Sequence, residues 1–478
     1  MLRDSKKRRF RFDFLENIRY ICLDFLEKSS LLCLDKMENE YLYRKIDDQL
    51  LSWSRESKRK PLLVRGARQV GKSSAVRNLA QNFEYFVEVN FDQQKEVCTL
   101  FEKGISPQEI CENLSLIYNT PIIPEKTLLF FDEIQACIPA ISSLRYFYEK
   151  YPELHLVAAG SLLEFALEEL PSFGVGRVRS LFVYPFSFEE FLIANNEKML
   201  WEAIRKATPQ KALLEPVHKK ALGLLKKFLI LGGMPEVIAS YVTGKSMLDC
   251  LKIMDDLIIS YKDDFSKYKK RVPESRITEV FDSVVQNAGK PFVYSGAAHA
   301  NYKQIKEALD LLIKAGLVIP VTHSAANGIP LGAEINPKKR KMLPLDTGLF
   351  QRMLGLDMSE IFLSDDFEVV NKGAIAEIYA GLELQKTASC YHKDELYFWK
   401  REERGSNAEV DYIIQKSEDI IPIEIKSGKR GSMQSLHLFL KEKKSPYGIR
   451  SSSENFCAYE NIKVIPLYAI GSIFNLGK

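Results

Sequence analysis

Two groups of residues in this chain have types and spacings that could act on phosphate oxygens. The first is Gly66-Ala67-Arg68-Gln69-Val70-Gly71-Lys72-Ser73, with Ser74 following, which matches the spacing G-x-x-x-x-G-K-[ST]. Glycines let backbone amides turn inward around a triphosphate, and a helix opening at Lys72 would add its positive end. Lys72 is then placed to reach the outer phosphates, and Ser73 to ligate Mg²⁺. Further along, the run TLLFFDE ends in two acids. Asp132 would meet the water shell of that metal, and Glu133 beside it would polarise an attacking water as general base. A nucleoside triphosphate and Mg²⁺ are the ligands these residues call for.

The second group lies in AEVDYIIQKSEDIIPIEIK, residues 408–426. Side chains alternate along a strand, so Glu424 and Lys426 share one face while Ile423 and Ile425 share the other. Glu409 and Asp411 likewise share a face. A hairpin between the two strands would bring Asp411 beside Glu424. Two readings are open. The carboxylates could hold a second Mg²⁺ for phosphodiester cleavage, with Lys426 stabilising the developing charge. Or the charges form an ion-pair cluster that needs no metal.

Positioning these residues takes a strand before the glycine loop and a helix after it, and the chain supplies both in LLVR and KSSAVRNLAQNF. The short apolar runs YFVEVNF, TLLFFDE and HLVAAGS alternate with helical stretches, which predicts a parallel sheet covered on both faces. A helical stretch follows over about 197–268. Residues 272–345 resemble a winged helix, with a hairpin turning at Asn327-Gly328. There Pro337-Lys338-Lys339-Arg340-Lys341 is either a basic wing touching DNA phosphates or a solvated face, and Lys269, Lys270 and Arg271 add charge nearby. Glu307 and Asp310 on the candidate recognition helix oppose DNA.

At 478 residues the chain is long enough for two to four domains. A charged content of 27% with 46% hydrophobic residues is that of a soluble globular protein, and a net charge of +4 does not by itself demand nucleic acid. No run is long and apolar enough for a membrane span, so no membrane partner is expected. The 8 cysteines form no C-x-x-C pair, so neither a zinc site nor a disulfide framework is expected, and a reducing, cytoplasmic setting fits. Residues 1–36 are either a basic helical arm or the product of a start codon assigned too early, since Met37 precedes the first helix.

In order, LLVRGARQVGKS, LLFFDEIQ, AAGS, GRV followed by YPFSFEEF, GGMPEVI, LPLDTGLF and EVDYII…PIEIKSG resemble the AAA+ ATPases. More closely they resemble a prokaryotic family with an AAA_14-type AAA+ domain and a C-terminal DUF4143 region. The resemblance implies an α/β fold: a P-loop AAA+ parallel-sheet core, a helical lid, a winged-helix-like middle segment and a C-terminal restriction-endonuclease-like domain. The divisions are 1–36, 37–195, 196–271, 272–355 and 365–478. It gives Ser161 the sensor-1 position. Arg177 becomes an arginine that stabilises the transferred phosphate, in its own subunit or a neighbour's; the other reading is a surface arginine tying a loop to an acid. Pro235, in Gly233-Met234-Pro235, would pack near the base, or else merely cap a helix. Asp411, Glu424 and Lys426 resemble the nuclease signature D-x(n)-E-x-K, with Glu377 as the acid of the preceding helix and Gln434 as an accessory polar group. The expected function is ATP hydrolysis with Mg²⁺ driving a conformational change on or near DNA. The alternative is a nucleotide-driven switch that binds a protein partner or another copy of itself and has an inactive nuclease-like domain.

Overall fold

Strands Leu62–Arg65 (β1), Tyr85–Asn90 (β2), Thr127–Asp132 (β3), His155–Ala159 (β4) and Arg179–Phe182 (β5) form a five-stranded sheet of order β2-β3-β4-β1-β5. All its pairings are parallel. Every residue of β3 and β4 is buried, because helices cover both faces; this is why those strands read as continuous apolar runs. The helices of this part are Lys45–Ser54 (α1), Lys72–Ala80 (α2), Thr99–Glu102 (α3), Pro107–Tyr118 (α4), Ile138–Lys150 (α5) and Leu163–Glu169 (α6). Local chemistry sets some of their ends. Ser106 caps α4 by accepting from the Glu109 amide, and Pro107 opens the helix where no amide proton is needed. On one face of the sheet Phe131 stands edge-on to Phe91 and Phe101, with both ring centroids 5.5 Å away.

These features belong to a computed structural model that describes residues 41–102, 104, 106–170, 176–268, 272–294, 302–356, 373–393, 395–401, 408–428 and 432–475. The basic extension 1–36 and the charges at Lys269, Lys270 and Arg271 lie outside the described residues. Residues 43–478 form one unit. Among the described residues no helix is long and apolar enough to cross a membrane.

The chain then runs through Phe188–Ala194 (α7), Lys198–Lys206 (α8), Glu215–Leu231 (α9), Pro235–Val242 (α10), Met247–Asp264 (α11), Glu274–Gln286 (α12) and Tyr302–Lys314 (α13). Next come Val318–Ser324 (β6), Ile335–Pro344 (β7), Thr347–Met353 (α14), Gly373–Thr387 (α15), Leu396–Lys400 (β8), Glu409–Lys416 (β9) and Asp419–Ile425 (β10). Gln434–Lys443 (α16), Gly448–Ser452 (β11), Cys457–Tyr459 (β12) and Ile462–Pro466 (β13) complete a mixed eight-stranded sheet of order β12-β13-β11-β10-β9-β8-β6-β7.

Three expectations change here. The hairpin β6–β7 does not turn tightly at Asn327-Gly328; a connection over 325–334 joins the strands, with a short 3₁₀ turn at Leu331–Glu334. Nor is that hairpin separate from the C-terminal strands, because β6 pairs in parallel with β8, Val321 opposite Leu396. The line drawn between 355 and 365 is therefore no break in the sheet. A single-strand pattern shows which residues share a face but not which distant strand lies alongside. Third, Cys98 and Cys137 are disulfide-bonded across a sequence separation of 39, a pairing that spacing along the chain did not signal. The bond ties the turn before α3 to the start of α5.

Candidate functional site

The glycine loop leaves β1 at Gly66, whose φ is +145°, and a Cβ there would fall 2.2 Å from the Val183 carbonyl oxygen. Only glycine allows the loop to pass so close to the strand-end backbone. The loop then turns through Gln69, at φ 58°, and Gly71, at φ 91°, into α2. Lys72 is buried and donates to the carbonyls of Gly66 at 3.1 Å and Ala67 at 2.7 Å. Its ammonium is thus folded back over the loop it would share with a phosphate. Burial pulls its pKa down to about 8, against the opposing charges of Glu133 and Asp132.

Ser73 Oγ donates to both Asp132 oxygens, at 3.0 and 3.1 Å. This contact joins the first residue pair of α2 to the end of β3 and brings together the two groups assigned to magnesium. A hydroxyl and a hard carboxylate are suitable donors for that ion, so the residues fit it. Burial raises the Asp132 carboxyl, and the Ser73 hydrogen bond partly offsets the rise. Glu133 sits at φ 48°, with its amide donating to Asp132 Oδ1 at 3.0 Å. Ser161 Oγ reaches Glu133 Oε2 at 3.5 Å, so the residue at the end of β4 touches the candidate base. Gln135 Nε2 also donates to Glu133. Gln135 stands in the DEIQ motif but carried no role in the sequence reading.

Pro235 opens α10 with its Cγ 3.6 Å from where a Cβ on Gly71 would sit, so it packs against the loop. The turn before it is held by Asp346, a buried residue of the LPLDTGLF motif. Asp346 accepts from the amides of Gly233 at 2.6 Å, Gly348 at 2.9 Å and Leu349 at 3.0 Å. Gly232, at φ +72°, brings the chain so near that a Cβ would lie 2.0 Å from Asp346 Oδ1. Arg68 projects from the loop to pair with Asp264 at the end of α11, and Tyr261 donates to the Arg68 carbonyl at 2.9 Å. The loop therefore touches the helical segment at two of its own residues, Arg68 and Gly71. Arg177 is exposed and pairs with Glu149 on α5.

Arg44 was not anticipated. Just before α1, its buried guanidinium donates to Val70 O at 3.0 Å, to Tyr184 O at 2.6 Å and to Glu190 Oε1 at 3.0 Å. One planar fork thus ties the glycine loop to the segment after β5 and to α7. Burial pushes Glu190 up, but Arg44 and the amides of Ser187 and Lys45 outweigh it and hold the carboxyl below its usual range. The sequence offered no local signal, because its partners are far along the chain.

In the C-terminal sheet β9 and β10 are antiparallel, with Tyr412 opposite Ile423, and that register sets Asp411 beside Glu424 as expected. Asp411 Oδ2 accepts from the Ile425 amide at 2.8 Å, and Lys426 Nζ reaches Glu424 Oε1 at 2.6 Å. Glu377 arrives on α15, as the sequence suggests. The unexpected member is Lys341. Only the first part of the basic run in β7 faces outward: Lys338 and Lys339 are exposed, whereas Lys341 is 1% exposed. Its Nζ lies 2.8 Å from Glu377 Oε1, 2.6 Å from Glu409 Oε1 and 3.9 Å from Asp411 Oδ1. Burial works against that ammonium, yet the three carboxylates outweigh it and raise its pKa. Among the described residues no group of three or more His, Cys, Asp or Glu is arranged to hold a metal ion. The proposed second Mg²⁺ at Glu377, Asp411, Glu424 and Lys426 does not fit, because an ammonium already serves two of those carboxylates. Gln434 begins α16.

The Lys72 shift has a measurable consequence. A bound triphosphate raises the ammonium's pKa, so binding takes up a proton wherever the empty site is deprotonated. ATP affinity should be flat below about pH 8 and then fall by about tenfold per pH unit above it. Titrations from neutral to alkaline pH would show this, and an affinity that rises with pH would contradict the placement of Lys72.

Family models match in three consecutive stretches: an AAA domain (AAA_14) at residues 58–192, a domain of unknown function (DUF8612) at 222–360 and another (DUF4143) at 372–470. Among solved structures the chain is similar to the Walker-type ATPase PABY2304 of Pyrococcus abyssi, at 14% identity and TM-score 0.42 over 66% of this chain and 96% of that one. It is also similar to the Aeropyrum pernix ORC1 protein in complex with DNA, at 14% identity and TM-score 0.28 over 69% and 96% of the two chains. C. elegans PCH-2 is similar at 15% identity and TM-score 0.26 over 48% and 65%. No curated protein matches the chain.

Proposed function

We propose that this chain, which belongs to the AAA+ ATPases that carry an AAA domain ahead of a DUF4143 domain, binds and hydrolyses ATP and uses the cycle to move its helical segment. One observation carries the reading: Ser73 and Asp132 hydrogen-bond each other at the foot of α2 while Lys72 lies folded over the loop carbonyls. Gly66 to Ser74 would cradle the phosphates, and Lys72 would turn outward to bind them. Ser73 and Asp132 would hold Mg²⁺, which supplies charge neutralisation to the triphosphate. Glu133, oriented by Ser161 and Gln135, would take the proton of the attacking water. Pro235 and Arg68 would pass the change to the helical segment, one packed on Gly71 and the other paired with Asp264. Arg177 would meet the transferred phosphate, in its own subunit or a neighbour's.

Calorimetry with ATP and Mg²⁺ tests the reading. The parent chain should bind, and Lys72→Ala should weaken binding by about a hundredfold or more, the loss expected for a charge-assisted contact worth about 3 kcal/mol. Equal affinity in the two proteins would sink it.

Exposed Lys338 and Lys339 support action on or near DNA. The burial of Lys341 among the C-terminal carboxylates supports the other reading, a nucleotide-driven switch that binds a protein partner or another copy and cuts nothing. The second is favoured, since the group that would cleave DNA lacks an available metal position. Nucleotide-dependent changes in mass without Asp411-dependent cleavage of DNA would support it.

A further inference from the structure

We propose that Lys341 is the resident cation of an acidic pocket that would otherwise take a divalent metal, and that removing its ammonium opens a metal site at Glu377, Asp411 and Glu424. Four carboxylates meet there: Glu377 from α15, Glu409 and Asp411 from β9, and Glu424 from β10. Three ammonium groups answer them. Lys341 takes Glu377 and Glu409, Lys400 reaches Glu409 Oε2 at 3.3 Å, and Lys426 takes Glu424 Oε1.

The accounting at Glu424 is incomplete. This side chain is 95% buried by its 5% exposure, and its Oε2 has no hydrogen-bond partner among the described residues. An oxygen left so in a buried carboxylate is costly and is the kind of donor a hard cation completes. Asp411 has one oxygen held by the Ile425 amide and turns the other toward Lys341 at 3.9 Å. The pocket thus has open oxygens, but a lysine from a distant strand stands where the ion would have to approach. The Phe398 ring, 5.1 Å from the same Nζ, closes another side of it. Without Lys341 the four carboxyl groups would face only the ammoniums of Lys400 and Lys426.

Lys341 also holds β7 to α15 and β9, so its ion pairs fasten the hairpin strand to the C-terminal layer. The lysine therefore does two things at once. It satisfies the pocket without metal, and it makes that satisfaction depend on β7 staying in place.

Mn²⁺ binding by the full chain without nucleotide tests this independently of any ATP chemistry, by the paramagnetic signal of free Mn²⁺ and by thermal melting. Lys341→Met should gain one Mn²⁺ that the parent lacks, and adding Asp411→Asn should remove it again. Affinity at that position should exceed the parent's by about a millionfold, the factor that one ammonium at roughly 4 Å imposes on a doubly charged ion at an effective dielectric of about 20. Mn²⁺ held at Ser73 and Asp132 is common to all variants and cancels in the comparison. Lys341→Arg keeps the charge and should gain no Mn²⁺. If Lys341→Met is poorly folded alone, Mn²⁺ should raise its melting temperature by more than it raises that of the double variant, which keeps only the ion at Ser73 and Asp132. The proposal is overturned if the parent already binds an Asp411-dependent Mn²⁺, if Lys341→Met gains neither binding nor thermal protection, or if Lys341→Arg gains the ion as well.

Discussion

Glu133→Gln is expected to keep ATP affinity within about threefold of the parent while slowing phosphate release by about a hundredfold to ten-thousandfold, the usual worth of a positioned general base. The amide keeps the shape of the side chain, so the hydrogen bonds from Ser161 and Gln135 retain an acceptor oxygen. What is lost is the capacity to take a proton. Binding rests on other groups, Lys72, Ser73, Asp132 and the loop amides, and should persist. Single-turnover hydrolysis beside equilibrium binding separates the two. A variant that releases phosphate at the parent rate would remove Glu133 from the chemistry, and one that fails to bind would show that the residue shapes the loop instead.

Arg44→Ala should destabilise the chain by about 3–5 kcal/mol, because it leaves a buried carboxylate without its counter-charge. Arg44 and Glu190 are each 5% exposed, so water cannot make good the loss. The same change deprives the carbonyls of Val70 and Tyr184 of their donor and loosens the glycine loop, so ATP affinity should fall with stability. Glu190→Gln added to Arg44→Ala should recover part of the stability, since the stranded charge is then gone. Acidification should act in the same sense on the parent. The folded-state pKa of Glu190 is depressed, so its contribution is complete above the unfolded value of about 4.3 and is lost as pH falls through the folded one. Denaturant unfolding of the four proteins in the cycle, at neutral and acidic pH, gives the numbers. Additive losses from the two changes would show that the pair does not act as a unit.

How much was legible in the residues alone depends on the range over which each feature is written. The glycine loop is a strand, a turn and a helix in immediate succession, so residue type and spacing carry it whole. Asp132 and Glu133 close an apolar strand of their own, and one added pairing, β3 beside β4, brings Ser161 to Glu133. Alternation along β9 and β10 likewise put Asp411 and Glu424 on facing positions, since an antiparallel register follows from a hairpin. These are local arguments, and the tertiary structure had only to assemble them.

Other features exist only because distant segments meet. Arg44 reads as one more charged residue ahead of a helix until the backbone after β5 folds over it. Asp346 caps α14 by a local rule, but its grip on the turn at Gly233 needs α9 and α14 packed together. Cys98 and Cys137 pair because the turn before α3 lies against the start of α5. Lys341 is the plainest case. In the sequence it ends a basic run that resembles a solvated wing, and in the fold β7 carries it from an exposed edge into a buried layer beneath α15. Strand periodicity determines which side chains share a face, and sequence by itself determined that much. What the face meets depends on which strands and helices are stacked against it, and the free energy of a buried charge is decided there, by the carboxylates within reach and the water excluded.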